Sequence, residues 1–228
     1  MGKQIISKKR VADHGEVFTR LREVNAMLDL VKQETERIDS RFLEPACGTG
    51  NFLAEILARK LRVVESRYKK SQLEYERNAV LAVSSIYGID ILADNVYACR
   101  KRLYNIFDQK YMNLFKTTAK DKCRKAVVYI LNINIVCGDA LSLKTIGESP
   151  QPIIFSEWSL VNGGILKRRD FSFEELLMYG EEPKQMSLLN EPEQLSMFSD
   201  LGDDVFIPRP TKEYPLTHFL EVANVDKA

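Results

Sequence analysis

The chain has 228 residues, 45% of them hydrophobic, which is enough for a sizeable core in one or two domains. Its 33 basic residues almost balance its 32 acidic residues, so strong duplex binding by this chain alone is not expected. No apolar run is long enough to span a membrane and the start has no signal-peptide core, which predicts a cytoplasmic protein without a membrane partner.

The cysteines and the short basic clusters carry no strong functional signal. The clusters Lys8-Lys9-Arg10 and Lys167-Arg168-Arg169 are typical of solvated surface. The four cysteines lack CxxC spacing and are interpreted as reduced thiols, with no zinc, no disulfide and no metal ligand assigned. They are Cys47, Cys99, Cys123 and Cys137.

The first predicted elements are an arm, a compact segment and a helix. Residues 1–13 are polar and basic, which predicts a flexible arm. The compact segment His14-Gly15-Glu16-Val17-Phe18-Thr19 follows it. From Arg20, apolar residues at helical spacing predict a packing helix that ends in the charged run through Arg37. These apolar residues are Leu21, Val24, Leu28 and Val31.

The most informative stretch runs from Phe42 to Leu53. A short apolar strand ends in the acid Glu44, a loop with two glycines one residue apart follows, and an amphipathic helix continues through Leu61. Glycines at 48 and 50 let the backbone pass close to a ligand, and the helix start presents free N–H groups. This pattern predicts a cofactor loop.

The residues in this loop distinguish between two classes of cofactor. A dinucleotide site has a third glycine and places pyrophosphate at the helix start, whereas this chain has Leu53 at that position. The carboxylate of Glu44 would repel a phosphate and attract a cation. S-adenosylmethionine has an ammonium, a sulfonium and no phosphate, so the sequence favours it over NAD or ATP.

The stretch Leu43-Glu44-Pro45-Ala46-Cys47-Gly48-Thr49-Gly50-Asn51-Phe52 resembles motif I of the DNA amino-methyltransferases. These restriction–modification enzymes methylate the exocyclic amine of adenine or cytosine. Residues 14–19 resemble motif X of the subgroup in which motif X precedes motif I, an order commonest among adenine-specific enzymes. The family usually has proline after the motif X threonine, where this chain has Arg20.

The resemblance implies which residues hold the cofactor. Phe18 would pack on its methionine end and Thr19 would hydrogen-bond to it. The motif I residues would form the binding loop. They are Glu44, Pro45, Ala46, Cys47, Gly48, Gly50, Asn51 and Phe52.

Two further strands are predicted to end beside this loop. After a charged helical segment at 62–83, Tyr87–Ile91 forms a strand ending in an acid. In a nucleoside-binding α/β fold, Asp90 would accept hydrogen bonds from the ribose, and Ile91 would cover the adenine ring. Asp90 follows the first glycine by about twice the ~20 residues of a minimal unit, so an inserted helix is expected.

Helical segments at 94–107 and 121–131 precede the third strand, 134–139. The sequence Gly138-Asp139-Ala140-Leu141 at its end resembles motif III, which implies that Asp139 and Ala140 lie at the adenine of the cofactor. Glu44, Asp90 and Asp139, at three strand ends, are then expected to contact the same ligand. This arrangement indicates an α/β, Rossmann-like methyltransferase fold.

The catalytic motif of the family is missing from the sequence. These enzymes flip the target base out of the duplex and hold its amine with Asn, Asp or Ser followed by Pro-Pro and an aromatic residue. The chain has no Pro-Pro. Two apolar runs around Asn162-Gly163-Gly164 predict a hairpin instead. Ser156-Glu157-Trp158 is a degenerate match, and packing of Trp158 in the hairpin is the preferred interpretation, so no catalytic residue is assigned.

The family fold also needs about four more strands and a target-recognition region, for which the remaining residues are too few. We therefore expect a partial sheet whose unpaired edge is completed by a partner polypeptide carrying the Asn-Pro-Pro-aromatic loop.

The predicted tail contains one short motif. A helix is expected at 173–179, and the composition of 180–212 is typical of a linker. Gln194-Leu195-Ser196-Met197-Phe198 resembles the pentapeptide that binds the bacterial sliding clamp, although packing on this domain or its partner is favoured. Tyr214-Pro215-Leu216 is interpreted as a docked extended segment.

The predicted organisation is an arm (1–13), a methyltransferase domain (14–150), a hairpin with a short helix (151–179) and an extended tail (180–228). The expected function is S-adenosylmethionine binding within a DNA adenine-N6 methyltransferase that contacts DNA as a complex. A non-catalytic or degenerate cofactor-binding protein, a methyltransferase acting on another substrate, and cytosine as the target remain as alternatives.

Overall fold

The computed structural model describes residues 10–12, 17, 19–177 and 208–227, and these form the α/β fold that the sequence predicts. The helices are α1 (Leu21–Asp29), α2 (Lys32–Thr35), α3 (Asn51–Tyr68), α4 (Gln72–Ser84), α5 (Ala93–Phe115), α6 (Asp121–Asn134) and α7 (Phe173–Leu177). The strands are β1 (Phe42–Glu44), β2 (Ile86–Asp90), β3 (Ile135–Asp139), β4 (Lys144–Thr145), β5 (Ile154–Asn162), β6 (Ile165–Ser172), β7 (Lys212–Glu213) and β8 (Thr217–His218). Among the described residues, 3-10 helices cover Lys116–Thr118 and Val222–Lys227.

The carboxyl ends of three parallel strands lie side by side in the first sheet. Its order is β1-β2-β3-β4, in which the first three strands are parallel and β4 is antiparallel to β3. Because the carboxyl ends of parallel strands lie together, Glu44, Asp90 and Asp139 end neighbouring strands on the same side. The strand ends predicted from the sequence therefore lie next to one another.

Apolar side chains cover both faces of this sheet. On one face, helices α3 to α6 share a continuous core that includes Leu53, Leu57 and Leu103, all fully buried. On the other face a smaller cluster forms around Tyr87, with Phe155 and Phe173 packed against it. Burial of each such side chain stabilises the fold by about 1.5–3 kcal/mol. No helix in the described part of the chain is long and apolar enough to cross a membrane.

The charged segment at 62–83 is two helices rather than one. Helix α3 continues to Tyr68, and α4 begins at Gln72 after a short break. At that break the Ser71 hydroxyl accepts a hydrogen bond from the Glu74 N–H, because Ser-x-x-Glu is a capping-box sequence. These two helices provide the insertion between motif I and the second strand.

The helix predicted from Arg20 to Arg37 is also interrupted. Val24 and Leu28 are buried as predicted, but Leu21 is 61% exposed and Val31 is 46% exposed. Helix α1 ends at Asp29, so Val31 no longer continues its apolar stripe. The predicted four-residue packing face was therefore wrong at both ends.

The predicted hairpin is present. Strands β5 and β6 pair antiparallel around a turn in which Gly163 has a φ of 54°, a left-handed conformation that favours glycine. Trp158 is 6% exposed and packs in the main core, as preferred from the sequence. The extended segment at Tyr214 lies between β7 and β8, which both pair with β6. The clamp-like pentapeptide, residues 194–198, lies outside the described residues.

The basic cluster at 167–169 is not solvated surface, which corrects the interpretation from sequence. Arg168 is 8% exposed and donates to both carboxylate oxygens of Asp170, at 3.0 and 3.1 Å, and to the Tyr129 hydroxyl. The rings of Trp158 and Tyr214 pack against its guanidinium. This buried ion pair joins the hairpin to α6 and to the segment after Pro208.

Candidate cofactor site

Asp90 connects the glycine loop to the following helix. Its Oδ2 accepts the Gly48 N–H at 2.8 Å. Its Oδ1 accepts the Leu92 N–H at 2.9 Å and the Asn95 side-chain amide at 3.2 Å. An ionised carboxylate has about four acceptor positions, so three protein donors leave capacity for a ligand hydroxyl. Asp90 can therefore hold the loop and contact a ligand at the same time.

The glycine loop follows a tight path above strand β2. The Cys47 N–H donates to the Ile89 carbonyl at 2.8 Å, and the Gly50 N–H donates to the Cys47 carbonyl at 2.8 Å. Gly50 has a φ of 82°, and a Cβ at this position would lie 2.7 Å from the Cys99 Sγ. The loop therefore requires glycine at position 50 for both conformation and space.

We expect Gly50→Ala to lower the free energy of unfolding by about 2–3 kcal/mol, because a left-handed alanine costs about 1–2 kcal/mol and the contact with Cys99 adds to it. Gly163→Ala is the matched control, since Gly163 also has positive φ but a Cβ added there would meet no atom within 4 Å. Urea unfolding of the two variants measures the difference, and equal losses would contradict the close packing of the loop.

Glu44 and Asp139 end the outer two of the three parallel strands. Burial raises the pKa of the half-buried Glu44 above its usual value, although an N–H from Ala46 opposes the shift. The Asp139 Oδ1 accepts the Leu141 N–H at 2.9 Å. This bond, followed by one from Ser142, holds the pKa of Asp139 below its usual value. A bound cation would stabilise the ionised form of Glu44.

Two consecutive side-chain hydrogen bonds hold the backbone at Thr19. The Asn51 amide donates to the Thr19 carbonyl at 2.9 Å. Arg102 on α5 in turn donates to the Asn51 Oδ1 at 2.5 Å and lies 3.5 Å from the Thr49 carbonyl. Thr19, the last residue of the motif X stretch, is thereby joined to the motif I loop.

These groups surround a cavity of about 550 Å³, within the usual size range of small-molecule sites. Twelve of the predicted residues line it: Thr19, Glu44, Pro45, Ala46, Cys47, Gly48, Asn51, Phe52, Asp90, Ile91, Asp139 and Ala140. Gly50 does not line the cavity but caps α3 beneath it. Phe18, the remaining predicted residue, lies outside the described part of the chain.

Four lining residues were not predicted from the sequence: Val17, Leu92, Asn95 and Leu141. Val17 and Leu141 stand inside the motif X and motif III stretches, so reading every residue of those motifs would have found them. Asn95 contributes because the first turn of α5 brings its amide to Asp90. Leu141 is 95% exposed at the edge of the cavity.

The charge of the cavity limits what it can hold. Three carboxylates line it, those of Glu44, Asp90 and Asp139, and no lysine or arginine is among its described lining residues. A phosphate or pyrophosphate would be repelled here, whereas a ligand with positive charges and free hydroxyls would be favoured. These groups therefore fit S-adenosylmethionine better than a nucleotide phosphate.

Comparisons with curated proteins and with solved structures give no match for this chain. A family described as MmeI, DNA-methyltransferase domain, matches residues 15–151. That range contains the three strand ends, the glycine loop and every lining residue of the cavity. The chain therefore belongs to the MmeI DNA-methyltransferase domain family.

Proposed function

We propose that this chain is the S-adenosylmethionine-binding part of a DNA adenine-N6 methyltransferase in a restriction–modification system. Family membership supports a restriction–modification DNA methyltransferase in general. The order of motif X before motif I favours adenine, and the parallel strands with their helices support a Rossmann-like fold. The observation that carries the cofactor assignment is the acid-lined cavity at three parallel strand ends.

Each acid has a separate role in holding the cofactor, which supplies a methyl group carried on sulfonium. Glu44 would face the positively charged methionine end, together with Thr19. Asp90 would accept hydrogen bonds from the ribose hydroxyls while keeping Gly48 in place. Asp139 would accept a hydrogen bond from the amino group of the cofactor's adenine. The exposed Ile91 at the cavity edge would cover the adenine ring.

We further propose that a partner polypeptide supplies the Asn-Pro-Pro-aromatic loop that binds the flipped adenine. The target amine is a poor nucleophile because its lone pair is delocalised into the ring, so the reaction needs a loop whose acceptors stabilise the amine as it becomes tetrahedral. This chain has no Pro-Pro in its 228 residues and a formal net charge of only +1. The missing Pro-Pro favours catalysis by a complex, and the low net charge favours DNA contact by a complex.

Reconstitution tests this function. The chain would be purified from its native host with associated proteins, and any polypeptide carrying Asn-Pro-Pro-aromatic would be identified by mass spectrometry. The two proteins would then be assayed, separately and together, for transfer of a labelled methyl group to duplex DNA. We expect transfer only when both are present, with N6-methyladenine as the product after digestion.

Other outcomes would favour the alternatives. Cofactor binding with no partner that restores methylation would indicate a non-catalytic or degenerate protein. Methyl transfer to RNA, protein or a small molecule without DNA would indicate another substrate class. N4-methylcytosine in the digest would still support a DNA methyltransferase but would show that its target is cytosine, not adenine.

A further inference from the structure

Arg10 is held by two side chains at the start of helix α5. Its Nη1 donates to the Asp94 Oδ2 at 2.6 Å, and its Nη2 donates to the Asn95 Oδ1 at 3.2 Å. Only 23% of the Arg10 side chain is exposed, which corrects for this residue the interpretation of the basic cluster at 8–10 as solvated surface. Arg10 also lies outside the matched range 15–151, so family membership assigns it no role.

Asn95 connects Arg10 to the cofactor site. Asn95 is only 2% exposed, and its side-chain nitrogen donates to the Asp90 Oδ1 at 3.2 Å. A carboxamide accepts hydrogen bonds at its oxygen and donates them from its nitrogen. In the opposite orientation its oxygen would face the Asp90 carboxylate and its nitrogen would face the Arg10 guanidinium, and both contacts would be repulsive. Arg10 and Asp90 together therefore select one orientation of the Asn95 amide.

Asp90 is the last side chain in this series of hydrogen bonds. Its Oδ1 accepts from Asn95 and from the Leu92 N–H, and its Oδ2 accepts from the Gly48 N–H. These three donors restrict rotation of the carboxylate, so the acceptor positions that remain have a fixed direction. A carboxylate that is already fixed binds a hydroxyl more tightly, because less conformational freedom is lost on binding.

We propose that Arg10 is a positioning residue for the cofactor: through Asn95 it fixes the rotation of Asp90 and thereby strengthens binding of the ribose hydroxyls of S-adenosylmethionine. This inference rests on the proposed function, in which Asp90 accepts hydrogen bonds from the ribose. Arg10 is not among the described residues that line the cavity, whereas Asn95 and Asp90 both line it. The effect of Arg10 on the ligand is therefore indirect.

A purely structural role for Arg10 would have a different signature. The Asp94 side chain is 63% exposed, and ion pairs with an exposed partner contribute little to stability. If Arg10 only attached residues 10–12 to α5, its loss would weaken every ligand of the cavity to the same extent. If Arg10 acts through Asp90, the loss is larger for a ligand that carries ribose hydroxyls.

Removing the ribose hydroxyls distinguishes these two roles. Isothermal titration compares S-adenosylmethionine with an analogue that lacks both ribose hydroxyls, in the wild-type chain and in Arg10→Ala. We expect Arg10→Ala to weaken binding of S-adenosylmethionine about 5- to 10-fold and binding of the analogue less than about twofold, as for coupled neighbouring groups. Arg10→Lys should restore part of the loss, because an ammonium can still donate to the Asn95 oxygen.

A double-variant cycle tests whether Arg10 acts through Asn95. Asn95→Ala removes the connecting amide, so adding Arg10→Ala to it should change the affinity for S-adenosylmethionine no further. Arg124→Ala is the matched control, since its side chain is 20% exposed, pairs with two carboxylates and does not line the cavity. Its affinity should equal that of the wild-type chain.

Three results would overturn the inference. They are an equal loss for both ligands in Arg10→Ala, an unchanged affinity for S-adenosylmethionine in that variant, and an undiminished further loss when Arg10→Ala is added to Asn95→Ala. In each case a wild-type preference for the ligand with hydroxyls would still support the ribose contact of the proposed function. If the wild-type chain, alone and with its copurifying proteins, binds both ligands equally or binds neither, the ribose assignment of Asp90 and the role of Arg10 are both rejected.

Discussion

Replacing Asp90 with alanine is expected to lower the affinity for S-adenosylmethionine about 100-fold. Hydrogen bonds to a charged group contribute about 1.5–3 kcal/mol each, and the change removes the ribose acceptor, so a loss of about 3 kcal/mol is reasonable. It also removes the acceptor of the Gly48 N–H, which positions the loop. Isothermal titration of the cofactor into the variant measures the change.

Two further variants separate ligand binding from loop structure. Asp90→Asn keeps one side-chain oxygen, which can accept either the Gly48 N–H or the Leu92 N–H, and it lacks the charge, so we expect an intermediate loss of affinity. Asp121→Ala removes a carboxylate that is 84% exposed, pairs with Arg124 and does not line the cavity, so affinity should be unchanged. Wild-type affinity in Asp90→Ala would contradict the ribose assignment.

Replacing Asp170 with alanine is expected to destabilise the protein by about 3–5 kcal/mol, because it leaves the Arg168 guanidinium buried without its anion. The carboxylate also accepts hydrogen bonds from Ser156 and Tyr214, at 2.5 and 2.9 Å. In a domain of this size the melting temperature falls by about 2–4 °C for each kcal/mol lost from the free energy of unfolding, so we expect a fall of about 10 °C. Differential scanning calorimetry measures the fall.

Removing both charges provides the control for this prediction. Arg168→Met combined with Asp170→Leu leaves no buried charge at these two positions, and the double variant should be more stable than Asp170→Ala. A double variant that is less stable than the single variant would show that the aromatic contacts of Arg168, not its uncompensated charge, dominate. Neither residue lines the cofactor cavity, so cofactor affinity at a temperature where the variants are folded should be unchanged.

The sequence was sufficient to predict most of the residues that line the cavity, because its signals are local. The acid at each strand end and the glycines of the loop have fixed positions relative to their own strands, so parallel pairing brings them together. The resemblance to motifs X and III predicted Thr19 and Asp139, the acid at the second strand end predicted Asp90, and all three line the cavity. Asn95 was missed because its amide reaches Asp90 only through the path of the α5 N-terminus.

Features that depend on tertiary context were predicted less well. Arg168 stands between two basic neighbours and has no local sign of burial, yet its partners Tyr129, Asp170 and Tyr214 come from three parts of the chain. Val31 follows helical spacing over a longer helix than the one that forms, whereas Leu21 is the first residue of α1 and is exposed there. Hydrophobic periodicity does not show where a helix ends when its cap has no distinctive side chain.

The described residues form the cavity at the strand ends, whereas the sequence contains no Asn-Pro-Pro-aromatic tetrapeptide. Because cofactor binding and catalysis are separate in the proposed function, cofactor binding by this chain can be measured apart from methyl transfer.

Isothermal titration of S-adenosylmethionine into the purified wild-type chain tests the central claim most directly, with ATP and NAD as comparison ligands. The acid-lined cavity predicts one site per chain for S-adenosylmethionine and no binding of either phosphate-containing ligand. The titration is then repeated with the proteins that copurify with the chain from its native host, so that a cavity completed only in a complex is also tested. Absence of S-adenosylmethionine binding in both titrations, or tighter binding of ATP or NAD, would contradict the account.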